Sequence, residues 1–260
     1  MRIVIEKTAN AVFENAAERL AQLVQRRPNA VLGLATGRTM VGTYSALVRH
    51  HRDGLSLAGI TTFNLDEYVG MKGDDPRSFH HFMVKHLVEP TDLPPSSLNM
   101  PDGHADDLFA EAARYEQAID DAGGLDLQLL GMGRNGHIGF NEPGSSLRSL
   151  TRVKALTRDT LEANKNDLEG TNPEAALTMG LGTILNARSC LLLATGGAKA
   201  YAVKAMAEGP LTARVPASVL QLHRDVIVIV DEAAAALLDH YDYYVRAEKL
   251  QRQLEERHSP

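Results

Sequence analysis

The sequence predicts an α/β protein whose mostly parallel sheet is covered by helices on both faces. Short runs rich in leucine and β-branched residues recur along the chain, and most are apolar throughout. Such runs are typical of strands that are buried on both sides. Longer segments with helical periodicity separate them, as the crossovers of a parallel sheet require. Because no linker or repeat divides the 260 residues, we expect one domain over residues 1–260.

Six of the apolar runs are predicted strands: residues 2–6, 30–35, 59–64, 125–130, 189–194 and 226–230. The predicted helices are residues 9–25, 41–50, 79–86 and 106–121, followed by one or two helices within residues 232–256. Residues 152–173 differ, because they are polar, lack a clear apolar period and end near Gly170 and Pro173. This segment is predicted to be either a lid over the site or an ordinary surface loop.

Composition narrows the class of protein. The formal net charge of -6 argues against nucleic-acid binding, which needs a basic face. The single cysteine, Cys190, lies in an apolar run and is interpreted as a buried strand residue, and no Cys/His spacing indicates a metal site. The first residues are interpreted as a strand and not as a signal peptide, and no run approaches the length of a membrane helix. We therefore expect a cytosolic protein with no membrane or nucleic-acid partner.

Four of the predicted strands are followed by turns that carry glycine and polar residues. These turns are residues 36–39, 65–70, 131–137 and 195–199. Ligands of open parallel sheets bind beyond the carboxyl ends of the strands. The four turns are therefore predicted to line one crevice, and the polar side chains on them are the candidates for chemistry.

The first and last of these turns have the composition of a phosphate site. Thr36, Gly37 and Thr39 supply hydroxyls and an approachable backbone at the start of a predicted helix, where partial positive charge favours an anion. Residues 195–199 repeat the arrangement and add the cation Lys199. Either turn alone is slightly better explained by helix capping. The pair together predicts a site for one phosphate monoester.

Residues 131–136 spell the dinucleotide pattern G-x-G-x-x-G, which requires a helix to start in the turn. The next residues, 137–144, contain two glycines and a proline, so we reject a dinucleotide site. The loop is instead predicted to present Asn135, His137 and Glu142 to a small substrate. His137 is the best general acid/base candidate because imidazole titrates near neutral pH, and Glu142 is placed to orient it.

Asp66 and Glu67 are adjacent acids at another strand end. Neighbouring strand residues point to opposite faces, so at most one of them is expected to enter the crevice, while a solvated acid or a helix cap is the alternative role for either. A carboxylate, an imidazole and a phosphate site, with no metal or redox cofactor, suit proton transfer next to a carbonyl or imine. The predicted reaction is therefore aldose–ketose isomerisation of a sugar phosphate.

Residues 64–70 and 131–144 closely resemble the two signature segments of the glucosamine-6-phosphate deaminase family. The similarity extends through residues 35–37, 176–180 and 216–223 and Lys199, and thus covers most of the chain. The resemblance implies a Rossmann-like three-layer α/β/α sandwich with a mobile lid. It also implies conversion of glucosamine 6-phosphate and water to fructose 6-phosphate and ammonia.

The resemblance further implies roles for single residues. Asp66 matches the proton-transfer base of the family, and His137 matches the ring-opening acid/base, which Glu142 and Asn135 assist. The implied phosphate ligands are Thr36, Gly37, Thr39 and Lys199. Many members have a glycine at the position of Arg38, so this guanidinium is an added candidate for the phosphate.

Two departures from the family leave alternatives open. The lid of many members carries an arginine that reaches the substrate phosphate, whereas the matching stretch here is Ala163-Asn164-Lys165 in a shorter segment. Lys165 or Arg38 is the expected replacement, and the altered lid leaves the sugar epimer open. Galactosamine-6-phosphate deamination is one alternative function, 6-phosphogluconolactonase-like hydrolysis is a second, and a non-catalytic sugar-phosphate sensor is a third.

Regulation is the last implication of the resemblance. Allosteric members bind a phosphorylated N-acetyl amino sugar between subunits through a serine, an arginine and a lysine that follow the second signature. Ser145, Arg152 and Lys154 match these residues, but Ala155 replaces a neighbouring threonine. The resemblance therefore implies a homo-oligomer with a partial effector site. The alternative is that the two cations form a solvated surface.

Overall fold

The computed structural model describes residues 1–157, 160, 162, 171 and 173–258. Ten strands lie within these residues: β1 (Arg2–Glu6), β2 (Val31–Leu34), β3 (Thr61–Asn64), β4 (Asp66–Tyr68), β5 (Leu98–Asn99), β6 (Leu127–Gly131), β7 (Arg152–Ala155), β8 (Ala175–Thr178), β9 (Cys190–Ala194) and β10 (Val226–Asp231). Seven of them form a parallel sheet in the order β1-β10-β9-β6-β2-β3-β5. The other three form an antiparallel sheet in the order β4-β8-β7.

The α-helices of the described residues are α1 (Ala9–Arg26), α2 (Arg38–Arg52), α3 (Phe79–Met83), α4 (Leu108–Asp121), α5 (Leu181–Leu185), α6 (Ala200–Ala207), α7 (Glu232–Ala235) and α8 (Tyr241–His258). A π-helical turn, Val84–Val88, continues α3, and short 3-10 turns occupy Pro95–Ser97, Gly197–Lys199 and Pro216–Leu222. None of these helices is long and apolar enough to cross a membrane.

The six predicted strands are confirmed as β1, β2, β3, β6, β9 and β10, each within two residues of its predicted ends. All five residues of β9 are buried, because β10 and β6 flank it and helices cover its faces. Cys190 is buried at the start of this strand, as its apolar neighbours predicted. The predicted mostly parallel sheet with covering helices is therefore confirmed.

The antiparallel sheet was not predicted. Leu65 alone separates β3 from β4, and its backbone N–H donates to Leu34 while its carbonyl accepts from Met179. The chain thus leaves the parallel sheet and enters the second one at Asp66. Arg152–Ala155, the start of the predicted lid or loop, is the edge strand β7. Most of the remaining predicted lid, including Lys165, lies outside the described residues.

Candidate active site

The glycine-rich loop after β6 joins three of the predicted site residues. Asn135 Nδ2 donates to Glu142 Oε2 over 2.8 Å, and Asn135 Oδ1 accepts from the backbone N–H of His137 over 3.1 Å. His137 Nδ1 lies 3.4 Å from the same Glu142 oxygen. That separation is an ion-pair distance, and it lacks the geometry of a well-formed hydrogen bond. Asn135, His137 and Glu142 are therefore one connected group.

The glycines of this loop serve the packing of His137. A Cβ atom at Gly133 would lie 2.2 Å from Cε1 of the imidazole, so only glycine lets the ring rest on the backbone there. The N–H of Gly133 also donates to the carbonyl of His137 over 2.9 Å, and Gly136 between them has a φ of +81°. No helix starts in the turn, which is the structural reason that the dinucleotide pattern does not apply.

Glu142 is the most heavily hydrogen-bonded member of the group. Its side chain is buried, and its second oxygen, Oε1, accepts from the hydroxyls of Thr157 and Thr160. Burial opposes ionisation of this carboxyl, but the contacts with His137, Thr160 and Asn135 outweigh burial and lower its pKa to about 2. Sequence analysis missed both threonines, because no motif links residues after β7 to the loop after β6.

Asp66 lies opposite Thr178 in the antiparallel sheet, and 6% of its surface is exposed. Within the described part of the chain, no group donates a hydrogen bond to its carboxylate. Burial first, and then the charge of Glu67, raise the pKa of Asp66 to about 8. A Cβ atom at Gly139 would lie 3.4 Å from Asp66 Oδ2, so this carboxylate meets the loop that carries His137.

Glu67 turns away from Asp66, as the alternation of strand residues predicted. Its carboxylate accepts from the backbone N–H groups of Tyr68, Phe79 and His80 over 2.9, 3.1 and 2.9 Å. Two of these N–H groups belong to the first turn of α3, so Glu67 caps that helix. Burial raises the pKa of Glu67 to about 7, although the three hydrogen bonds oppose the shift.

The two predicted phosphate turns lie at the ends of β2 and β9, on either side of β6. Each has a glycine with positive φ just before a helical turn, +109° at Gly37 and +84° at Gly196. Gly37 and Arg38 are exposed, while the side chains of Thr36 and Thr39 are partly buried and their hydroxyls donate no hydrogen bond within the described residues. The same backbone geometry at both turns fits the predicted pair of anion-binding turns.

Two further residues at these turns were missed from the sequence. Both oxygens of Asp231 accept from the N–H of Gly196 over 3.0 Å, so that amide is not free for a phosphate. Its position as the last residue of β10 and the cap of α7 was the signal that could have identified it. Arg134 is exposed in the glycine-rich loop, and its charge, after burial, lowers the pKa of Lys199. Arg38, Arg134 and Lys199 thus occupy three neighbouring strand ends.

The predicted effector residues do not form one hydrogen-bonded set in the described structure. Ser145 is buried, and its hydroxyl has no partner among the described residues. Arg152 and Lys154 lie two residues apart on β7, which places them on one face of that strand. Burial lowers the pKa of Arg152, whose Nη1 donates to the carbonyl of Leu150 over 3.4 Å.

Comparison with known proteins gives consistent matches. The family model for glucosamine-6-phosphate isomerases/6-phosphogluconolactonase matches residues 5–229. The glucosamine-6-phosphate deaminase of Hahella chejuensis is 49% identical over 247 residues, covering 94% of each chain. That of Cellvibrio japonicus is 45% identical over 260 residues, covering 99% of each chain.

Solved structures agree with these matches. The structure of a monomeric glucosamine-6-phosphate deaminase has a TM-score of 0.89 at 47% identity and covers 91% of this chain and 100% of its own. A 6-phosphogluconolactonase from Trypanosoma cruzi has a TM-score of 0.76 at 20% identity, covering 92% of this chain and 97% of its own, which shows a common fold alone. The chain therefore belongs to the glucosamine-6-phosphate isomerase/6-phosphogluconolactonase family, among its glucosamine-6-phosphate deaminases.

Proposed function

We infer that this enzyme converts glucosamine 6-phosphate and water to fructose 6-phosphate and ammonia. The observation that carries the inference is the buried, unpaired carboxylate of Asp66 beside the loop that holds His137 and Glu142. The reaction needs one base at C2 of the sugar and a second acid/base at the ring oxygen. Asp66 and His137 are two such groups from different elements, and Asp66 lies against Gly139 of the loop that carries His137.

The proton transfers divide between these two residues. His137 takes the proton of the anomeric hydroxyl and gives one to the ring oxygen, which opens the sugar. Ionised Asp66 removes the C2 proton and returns it at C1, converting the amino aldose to a ketose imine. Water then adds to C2 of the imine, and ammonia leaves. Glu142 and Asn135 hold His137 in place during the first step.

The substrate phosphate is proposed to bind between the two glycine turns. Lys199 supplies a partly buried cation, and residues 36–39 supply hydroxyls and backbone N–H groups at the start of α2. Arg38 and Arg134 add two guanidinium groups that form no ion pair within the described residues. Either of them supplies the charge that the family's lid arginine provides elsewhere.

One assay separates the candidate functions. The enzyme is incubated with glucosamine 6-phosphate, galactosamine 6-phosphate and 6-phosphogluconolactone, and ammonia, ketose phosphate and acid release are followed. We expect equal amounts of ammonia and fructose 6-phosphate from the first substrate. Faster turnover of the galactosamine epimer would change the assigned substrate, while lactone hydrolysis without ammonia would replace the deaminase by a lactonase. Tight binding with no product would indicate a sensor.

A substitution tests the role of His137. His137→Ala is expected to lower kcat on cyclic glucosamine 6-phosphate by roughly a hundredfold, the usual contribution of a general acid/base. The kcat of this variant on an open-chain analogue should fall much less, because that compound needs no ring opening. Equal losses on both compounds would contradict the assigned step.

The effector site, the oligomer and the cytosolic location remain predictions. Two observations support a vestigial effector site: the buried hydroxyl of Ser145 has no partner among the described residues, and Arg152 and Lys154 share one face of β7. The related deaminase of known structure is described as monomeric. Sedimentation gives the oligomeric state, and initial rates with and without N-acetylglucosamine 6-phosphate test activation. If the protein is a monomer and its hyperbolic rate curves do not change on addition of this compound, Arg152 and Lys154 are ordinary surface residues.

A further inference from the structure

The two oxygens of Glu142 face two different parts of the chain. Oε2 faces the glycine-rich loop, where it accepts from Asn135 and lies 3.4 Å from His137 Nδ1. Oε1 faces the residues that follow β7, where it accepts from Thr157 and Thr160. This carboxylate therefore links the acid/base residue to a segment that contributes no group to the substrate contacts proposed above.

The two threonines act as one unit. Thr157 Oγ1 lies 3.2 Å from Glu142 Oε1 and 3.1 Å from Thr160 Oγ1, while Thr160 also contacts Oε1 directly. Thr157 Oγ1 additionally accepts from the backbone N–H of Thr160 over 3.3 Å. A hydroxyl has a single proton, so Thr157 donates either to Glu142 or to Thr160 at one time. Thr160, itself buried, is thus the more constant donor to the carboxylate.

We propose that Thr157 and Thr160 are positioning residues that hold Glu142 in its ionised form and in the orientation that His137 requires. The proposal rests on the proposed roles of His137 and Glu142 in ring opening. A carboxylate as buried as this one needs donors to remain charged, and hydrogen bonds to an ionised acceptor are the strong ones. With both hydroxyls in place, Oε2 is left to Asn135 and His137.

Few other groups near Glu142 among the described residues can stabilise its charge, so the hydroxyls of Thr157 and Thr160 matter most. Within the described structure, His137 from the loop after β6 is the titratable side chain that lies within ion-pair distance of Glu142. The other groups that contact its carboxylate are neutral donors, Asn135 and the two threonines. Loss of the Oε1 donors therefore leaves one amide and one imidazole to stabilise the charge, and the pKa of Glu142 must rise.

The experiment compares four variants of the full chain: Thr160→Val, Thr160→Ser, Thr157→Val and Glu142→Gln. Valine replaces the hydroxyl by a methyl group of similar shape, and serine keeps the hydroxyl. We expect Thr160→Val to lower kcat/KM on cyclic glucosamine 6-phosphate about tenfold, as the loss of one charge-assisted hydrogen bond implies. The loss should be much smaller on an open-chain analogue, because the defect acts through His137 in ring opening. Thr160→Ser should stay within about twofold of the parent enzyme, and Thr157→Val should lie between.

The outcomes separate this proposal from the proposed function. If Glu142→Gln loses activity while Thr160→Val keeps the parent rate on the cyclic substrate, the positioning role is wrong and the role of Glu142 stands. If Glu142→Gln itself is fully active, the role assigned to Glu142 fails. Equal losses in Thr160→Ser and Thr160→Val would show that packing, not the hydroxyl, is responsible. Thermal unfolding of each variant confirms that all four are folded.

Discussion

Two buried aspartates flank opposite edges of the parallel sheet, one just before β6 and one just beyond β3, and their surroundings differ. Asp126, just before β6, is 4% exposed; it accepts from the backbone N–H of Val31 over 2.9 Å and forms an ion pair with Arg27 Nη1 over 2.6 Å. Arg188 Nη1 makes a further ion pair with it. Asp66, at the other edge, is 6% exposed and receives no hydrogen bond from the described residues. The two carboxylates are similarly buried, but hydrogen bonds and ion pairs compensate the burial of Asp126, whereas no donor among the described residues does so for Asp66.

This difference suits Asp126 to a structural role and Asp66 to the proposed catalytic role. A buried carboxylate costs free energy unless donors surround it, and the groups around Asp126 offset this cost and tie the start of the sheet together. Asp66 lacks this compensation, and burial with the charge of Glu67 moves its pKa to about 8, near the pH at which a general base must exchange protons. An unpaired buried carboxyl thus distinguishes Asp66, the proposed base, from Asp126.

Removal of the unpaired carboxylate should have the largest effect on catalysis. Asp66→Asn is expected to lower kcat by about a thousandfold or more, because a general base contributes this much, while phosphate binding is retained. The melting temperature should stay equal or rise, since the variant no longer buries an ionisable carboxyl that lacks donors among the described residues. Exchange of the C2 proton with solvent deuterium is the measurement. Normal exchange in the variant would remove Asp66 from this role.

Cations at the two edges provide a second contrast. Lys199→Ala should raise KM roughly tenfold with little change in kcat, because a phosphate contact is made in the ground state and the transition state alike. Arg188→Ala, which removes a cation paired with Asp126, should leave KM unchanged. Steady-state kinetics give the KM and kcat of both variants. A fall in kcat at unchanged KM for Lys199→Ala would contradict the phosphate assignment.

The paired carboxylate should show the reverse pattern. Asp126→Asn is expected to lower the free energy of unfolding by about 2 kcal/mol, since charge-assisted hydrogen bonds are lost. This loss is modest because the Arg27 and Arg188 side chains are 46% and 56% exposed, so water screens their ion pairs with Asp126. Urea unfolding measures the loss, and kcat/KM should stay within about twofold. A catalytic defect larger than the stability defect would show that this edge also serves the reaction.

The smallest expected effect is a shift in pH dependence. Asp66 acts as a base only when ionised, so kcat/KM should rise with pH through a midpoint near its pKa of about 8. Glu67→Gln removes the neighbouring negative charge, makes ionisation of Asp66 easier, and should lower the midpoint by less than about one pH unit. Gln keeps an acceptor oxygen for the α3 cap. Glu18→Gln on the exposed face of α1 is the control, and an equal shift in both variants would contradict the pairing of Asp66 with Glu67.

The sequence by itself determined the parallel sheet and which residues are candidates for the site. Runs such as residues 190–194 are apolar in every position, which only a strand covered on both faces explains, and the structure buries all five. The turns at strand ends were predictable because parallel strands bring their carboxyl ends to one edge. The sequence likewise predicted that the side chains of Asp66 and Glu67 point in opposite directions, because adjacent residues of a strand always do so.

Tertiary structure alone decided what surrounds these residues. The antiparallel sheet depends on pairing of β4 with β8, which lie far apart in sequence and are too short for a periodic signal. The contact of Thr160 with Glu142 and that of Asp231 with Gly196 likewise join distant segments. Burial, the largest cause of the raised pKa of Asp66, comes from distant segments, whereas the smaller contribution of Glu67 is local. Local sequence specifies which groups are present, whereas long-range packing sets their protonation and partners.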